Sequence, residues 1–210
     1  ERAELADISE PATAREAAVV GARTRQRLRG DPVSQGQQPM LVPVELQQEH
    51  EVQSLLDAVC GVIHNPMAGE THAAARGRGA TMNGKPIRVS QATLPEHSRI
   101  GLGFSYRRER KLHVAAVDRL LARQCEYSRL GSGALGMAHV ADGRFEGYFE
   151  PHINSWDVAA GLVIVREAGG FTNDFFARDG LTRGNPILAG APGLREFLES
   201  TLGDLMEPGI

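Results

Sequence analysis

The chain has 210 residues, of which 41% are hydrophobic and 23% charged, and a formal net charge of −3. That length and mix suit one domain, or two tightly packed halves, with a sizeable core. The slightly acidic balance argues against a general nucleic-acid binder, which carries a basic face. No run of ~18 apolar residues predicts a membrane helix, and the opening Glu1-Arg2-Ala3-Glu4 has no apolar signal core, so the cytoplasm is the expected location. Cys60 and Cys125 stand in no metal or redox spacing and read as small apolar fillers in a reducing compartment.

Residues 12–29 read as a helix. Ala14, Ala17, Ala18 and Ala22 give it small faces, arginines fill its last turns, where they suit the dipole, and Gly30 ends it. Residues 31–43, rich in Gln, Pro and Gly, read as a loop or irregular hairpin. A second amphipathic helix over 45–58 is marked by Leu46, Val52, Leu55, Leu56 and Val59 at helical spacings. The period then changes from 3.6 to 2. Gly61 to Pro66 is a short apolar run, Thr71 to Arg76 alternates, and Asn83-Gly84 is a two-residue hairpin signal between Ala80-Thr81-Met82 and Pro86 to Val89. Residues 61–90 are therefore an antiparallel meander.

Strands and helices alternate afterwards: strand 99–104, helix 107–123 with Leu112, Ala116, Val117, Leu120 and Leu121 inward, strand 126–130, helix 133–141 stopped by Asp142-Gly143. Strand 145–149 follows, then helix 157–168 stopped by Gly169-Gly170, strands 171–173 and 187–189, and a closing helix 193–205. The fold class is α/β, or α+β layered. The division expected is a single domain in two halves: 1–93, with the first helices and the meander, and 94–210.

Asp157 stands at the start of an apolar, hence buried, helix. On its own it reads as a cap that accepts backbone N–H groups. Glu150, seven positions earlier at the end of a strand, alters that reading. Two carboxylates delivered to one point by a strand end and a helix start can bind a hard cation or substrate hydroxyls. Gly131-Ser132-Gly133-Ala134 joins a strand to a helix start, where exposed backbone N–H groups favour anions or sugar hydroxyls; a plain turn capped by Ser132 is the alternative. His64, His139 and His152 have no metal spacing with a carboxylate and read as structural or surface residues. Gly77-Arg78-Gly79 is too short for a nucleotide loop, no serine nucleophile elbow is present, and the cluster Arg107 to Lys111 reads as a solvated face.

Trp156-Asp157-Val158-Ala159-Ala160-Gly161, followed by Glu167-Ala168-Gly169-Gly170, resembles the C-terminal signature of the inositol monophosphatase family, with every fixed position filled. Arg129 to Ala134 resembles the family's substrate loop. Gly61 to Pro66, and Gly77 to Ser90 with Asn83-Gly84-Lys85-Pro86-Ile87, resemble its central meander. Upstream the likeness is fainter. Residues 12–29 are similar to its first helix, and 35–56 to its Lys-Gly hairpin, Val-Thr-x-x-Asp element and second helix, but Gln35 stands for Lys, Pro43 for Thr and Glu45 for Asp. The family's Gly-Glu-Glu and Asp-Pro-Ile-Asp-Gly-Thr motifs, which carry most of its metal-binding carboxylates, find no counterpart, because Val59 runs directly into Cys60-Gly61-Val62. Two readings of this junction stand: a segment belongs between Val59 and Cys60 and is not in this chain, or the chain is a degenerate member. Deleting central strands unpairs their neighbours, which favours the first.

The resemblance implies an αβαβα sandwich of the sugar-phosphatase type and Mg²⁺-dependent hydrolysis of a small phosphorylated cyclitol or sugar. Asp157 would be a metal ligand that also touches the substrate, Glu150 would bind a substrate hydroxyl, and the backbone of Gly131, Ser132 and Gly133 would line the pocket. Glu45 would stand for the carboxylate that orients the attacking water. The resemblance also implies a homodimer, while the charge balance and the lack of a long apolar run predict neither nucleic-acid nor membrane partners. The alternative is an inactive relative that keeps the fold as a ligand-binding or dimerising subunit.

Overall fold

The structure is a computed structural model and describes residues 60–206. The helices expected at 12–29 and 45–58, the loop between them, and Gln35, Pro43 and Glu45 lie outside the described residues. The meander begins the described chain: β1 (Cys60–Asn65), β2 (Glu70–Ala75), β3 (Ala80–Met82) and β4 (Lys85–Ile87) form an antiparallel sheet in that order. Its last turn is the expected one. Asn83 and Gly84 both take positive φ, 50° and 76°, and bring Met82 opposite Lys85, as a two-residue turn matched to strand twist requires.

The second sheet is mixed and has five strands: β5 (Arg99–Leu102), β6 (Glu126–Ser128), β7 (Gly147–Ile153), β8 (Phe171–Thr172) and β9 (Asn185–Gly190), in the order β6-β5-β7-β9-β8. β5 runs parallel to both β6 and β7, whereas β9 is antiparallel to β7 and β8. The helices are α1 (Arg110–Ala122), α2 (Gly133–Ala141), α3 (Ser155–Glu167), the short α4 (Gly180–Arg183) and α5 (Arg195–Leu202).

Two cores show the layering. One joins meander residues Ile63 and Ala80 to Met137 and Val140 of α2, Leu162 and Val165 of α3, and Tyr148 and Ile187 of the second sheet. The other joins Ile100, Leu102, Phe149 and Leu188 from the opposite face of that sheet to Leu120 of α1 and Leu198 and Leu202 of α5. The described residues thus supply sheet, helices, sheet, helices in succession, four layers of the expected sandwich. Strand alternation produces the partition: on β7, Phe149 faces one core while Tyr148 and Glu150, two apart, share the other face.

Several expectations need correction. Leu121, expected inward, is 55% exposed, because α1 ends one residue later and only Ala116 and Leu120 of its stripe are fully buried. α3 begins at Ser155, so Asp157 is its third residue rather than its first, and Trp156 is 73% exposed on a helix expected to be buried. β7 does not stop at Phe149 but continues through Pro151 to Ile153, with a register irregularity between Glu150 and Ile153. Glu150 therefore sits inside the strand, in regular register with Ile187, and the irregularity follows it. Cys60 is exposed; Cys125 is the buried filler.

Candidate functional site

The parallel strands β6, β5 and β7 end side by side, and a cavity of about 470 Å³ opens beyond their carboxyl ends. Open sheets of this kind bind ligands at that edge, because the chain leaves each strand there in a loop and returns through a helix whose N-terminus points back. β5 leads into Gly103 to Arg107, β6 into Arg129 to Gly133, and β7 carries Glu150 and His152, while α3 brings Asp157. All five sequence-predicted residues within the described chain (Gly131, Ser132, Gly133, Glu150 and Asp157) line this one cavity.

Glu150 is only 8% exposed. The Tyr148 hydroxyl donates to its Oε2 at 2.7 Å. Burial pushes the Glu150 carboxyl up from the ordinary range; the Tyr148 hydrogen bond and the Arg129 charge oppose that shift, and the nearby Asp157 charge adds to it. Burial, followed by the Glu150 charge, likewise raises the Tyr148 hydroxyl well above its usual value. Asp157 offers a second carboxylate, half-buried, whose side chain has no hydrogen-bond partner among the described residues. The simple cap reading of Asp157 therefore fails, whereas that of Ser132 holds: its Oγ accepts from the Leu135 N–H at 3.3 Å and caps α2.

Composition alone pointed to none of the remaining lining residues. Arg107 donates through Nη1 to Asn154 Oδ1 at 2.5 Å, tying the loop after β5 to the start of α3. His152 donates through Nε2 to the Arg183 carbonyl at 3.1 Å and so ties β7 to the end of α4; burial, followed by the Arg107 charge, lowers its pKa. Tyr148 had a signal in the sequence, since it lies two residues before Glu150 on a strand.

A sequence model of the inositol monophosphatase family matches residues 57–205. The chain belongs to the inositol monophosphatase family. Relatives include "Nus factor SuhB" of Xylella fastidiosa, 42% identical over 120 residues that make up 56% of this chain and 44% of that protein. Another is "Inositol-1-monophosphatase" of Mesorhizobium japonicum, 36% identical over 134 residues, 63% of this chain and 50% of that one. Among solved structures, an inositol monophosphatase from Anabaena (Nostoc) superimposes with a TM-score of 0.62 at 35% identity, covering 70% of this chain and 59% of that one. The chain thus spans about half the length of the curated relatives it matches.

Inositol monophosphatase family members generally hydrolyse phosphomonoesters and depend on Mg²⁺. In the described residues no group of three His, Cys, Asp or Glu side chains converges on a point. Asp157 fits one ligand position of a hard cation, and a single protein carboxylate does not make a site. The described residues by themselves do not make up an ion site.

Proposed function

We infer that the cavity is the substrate-binding side of a Mg²⁺-dependent phosphomonoesterase site that takes a small cyclitol or sugar phosphate. The observation that carries this reading is the convergence, beyond three parallel strand ends, of two carboxylates of different character with the start of α2. Glu150 is buried and hydrogen-bonded, suited to accept from a hydroxyl. Asp157 is free to serve as a ligand to Mg²⁺ and to meet the same substrate. The Gly131 to Gly133 backbone lies at a helix N-terminus, where N–H groups without intrahelical partners favour an anion. Arg107 and Arg129 add positive charge at the rim, which suits a phosphorylated ligand. Glu45 remains assigned to the attacking water by resemblance alone.

The test is phosphate release from myo-inositol 1-phosphate by the full chain with and without Mg²⁺. Release that requires Mg²⁺ and falls by roughly two orders of magnitude or more in Asp157→Asn is the expected result. Undiminished turnover in that variant would remove Asp157 from the site. A second reading is favoured by the lack of a three-ligand cluster among the described residues: an inactive member that binds the ligand or dimerises. It predicts no release at any Mg²⁺ concentration, but calorimetric binding of myo-inositol 1-phosphate that weakens in Glu150→Gln.

A further inference from the structure

Tyr148 lies on the same face of β7 as Glu150 and is built into that face as closely as the carboxylate itself. Three glycines clear the space. A Cβ on Gly103 would stand 2.1 Å from Glu150 Oε2, one on Gly101 would stand 2.8 Å from Tyr148 Cδ2, and one on Gly136 would stand 2.3 Å from Tyr148 Cε2. Gly101 is the register partner of Tyr148 across β5 and β7, and Gly136 is the buried underside of α2. No larger residue at these positions leaves room for the pair. The phenol is buried and, among the described residues, has one hydrogen-bond partner, Oε2 of Glu150. Oε1, by contrast, has no partner among the described residues, is not sealed from solvent, and belongs to a residue that lines the cavity.

We propose that Tyr148 is a positioning residue for ligand binding: its hydroxyl engages Oε2 and holds the Glu150 side chain in one rotamer, so that Oε1 alone is presented to the cavity and accepts from one ligand hydroxyl. The inference rests on the cavity being the cyclitol or sugar phosphate pocket proposed above. A carboxylate with one oxygen already engaged is a poor bidentate ligand for a cation and a directional acceptor for an O–H group. The arrangement thus separates the roles of the two acids, with Glu150 reading a hydroxyl and Asp157 left for the ion. Among the described residues, the titratable groups acting on Glu150 are Tyr148 beside it on β7, Asp157 from α3, and Arg129 from the loop before α2. Of these only Tyr148 donates a hydrogen bond to it, so removing that donor acts on Glu150 directly.

Tyr148→Phe keeps the ring against Gly101 and Gly136 and deletes only the hydroxyl. In the full chain with ¹³C-labelled glutamate carboxyls, the Glu150 titration midpoint is expected to rise by about one pH unit in this variant, because a donor to the charged form is lost. Site-specific replacement of Tyr148 by 3-fluorotyrosine, a stronger donor, is expected to lower the midpoint and keeps the test open if the Phe variant folds poorly. Calorimetry with myo-inositol 1-phosphate is expected to show affinity reduced about tenfold in Tyr148→Phe, the loss of roughly one hydrogen bond to a charged group, with inorganic phosphate binding unchanged. A midpoint and an affinity ratio both unmoved in Tyr148→Phe overturn the assignment. If Glu150→Gln binds myo-inositol 1-phosphate as well as the natural chain does, the pocket reading fails instead, and the carboxyl titration still decides whether Tyr148 controls Glu150.

Discussion

Glu150 depends on a neighbour that contributes no side chain at all. Gly103 lies where β5 ends, donates its N–H to the Phe149 carbonyl at 2.8 Å, and leaves the space the carboxylate fills. Gly103→Ala puts a methyl group 2.1 Å from Oε2, so the carboxylate must swing out. The expected cost is about 1–3 kcal/mol in urea unfolding, typical of overpacking, together with loss of myo-inositol 1-phosphate binding in calorimetry. Equal affinity in this variant would mean that Glu150 is not needed where it sits. The sequence pointed to Glu150, Asp157 and the Gly131-Ser132-Gly133 turn, because carboxylates and glycines at element ends mark themselves. It did not point to Arg107 with Asn154, which meet across a separation of 47 residues that no local pattern encodes. Tyr148 was legible in principle from its two-residue spacing to Glu150, but an aromatic on an apolar strand is read first as core, and its ring is indeed core.

At the scale of elements, a charged cluster joins the meander to the end of α2. His72 of β2 is fully buried and its Nε2 donates to Asp142 Oδ2 at 2.7 Å, and Arg144 bridges Asp142 to Glu70 of β2, the latter at 2.9 Å. Asp142 is the residue that ends α2, so the cluster pins a helix end to a strand. Burial works to raise the Asp142 carboxyl, but the hydrogen bonds from Arg144 and His72 outweigh it and hold the group below the ordinary carboxylate range. A carboxyl lowered on folding adds stability that is complete above its unfolded value of about 4, and that stability is lost as the pH falls through the lower folded value. Asp142→Asn is expected to cost about 3 kcal/mol at neutral pH, the lower end for breaking a buried pair because Arg144 keeps Glu70. It is also expected to flatten the decline in stability below about pH 4, both read from urea unfolding as a function of pH. The helix start at Gly133, its stop at Asp142 and the Asn83-Gly84 hairpin were legible because turn chemistry is local. The extension of β7 through Pro151 was not, since proline argues against a central strand and only the register irregularity beside β9 accommodates it.

At the scale of the molecule, β7 divides two cores and bears the site on one side of that divide. Phe149 is 1% exposed and packs with α1 and α5 on the far face, while its neighbours Tyr148 and Glu150 face the other way. Phe149→Ala is therefore expected to destabilise the fold by about 3–5 kcal/mol in urea unfolding while leaving the ligand affinity of the folded protein within about twofold. A large loss of affinity would show that the two faces are coupled through the strand. The layered architecture was legible from the change of period alone, and the resemblance named it; the junction at Val59 and Cys60 lies where the described residues begin. The chain contains a single tryptophan, Trp156, and it stands exposed on the first turn of α3 beside Asp157. Every photon of indole emission from these 210 residues therefore originates next to the carboxylate proposed for the ion, a built-in reporter of what arrives there.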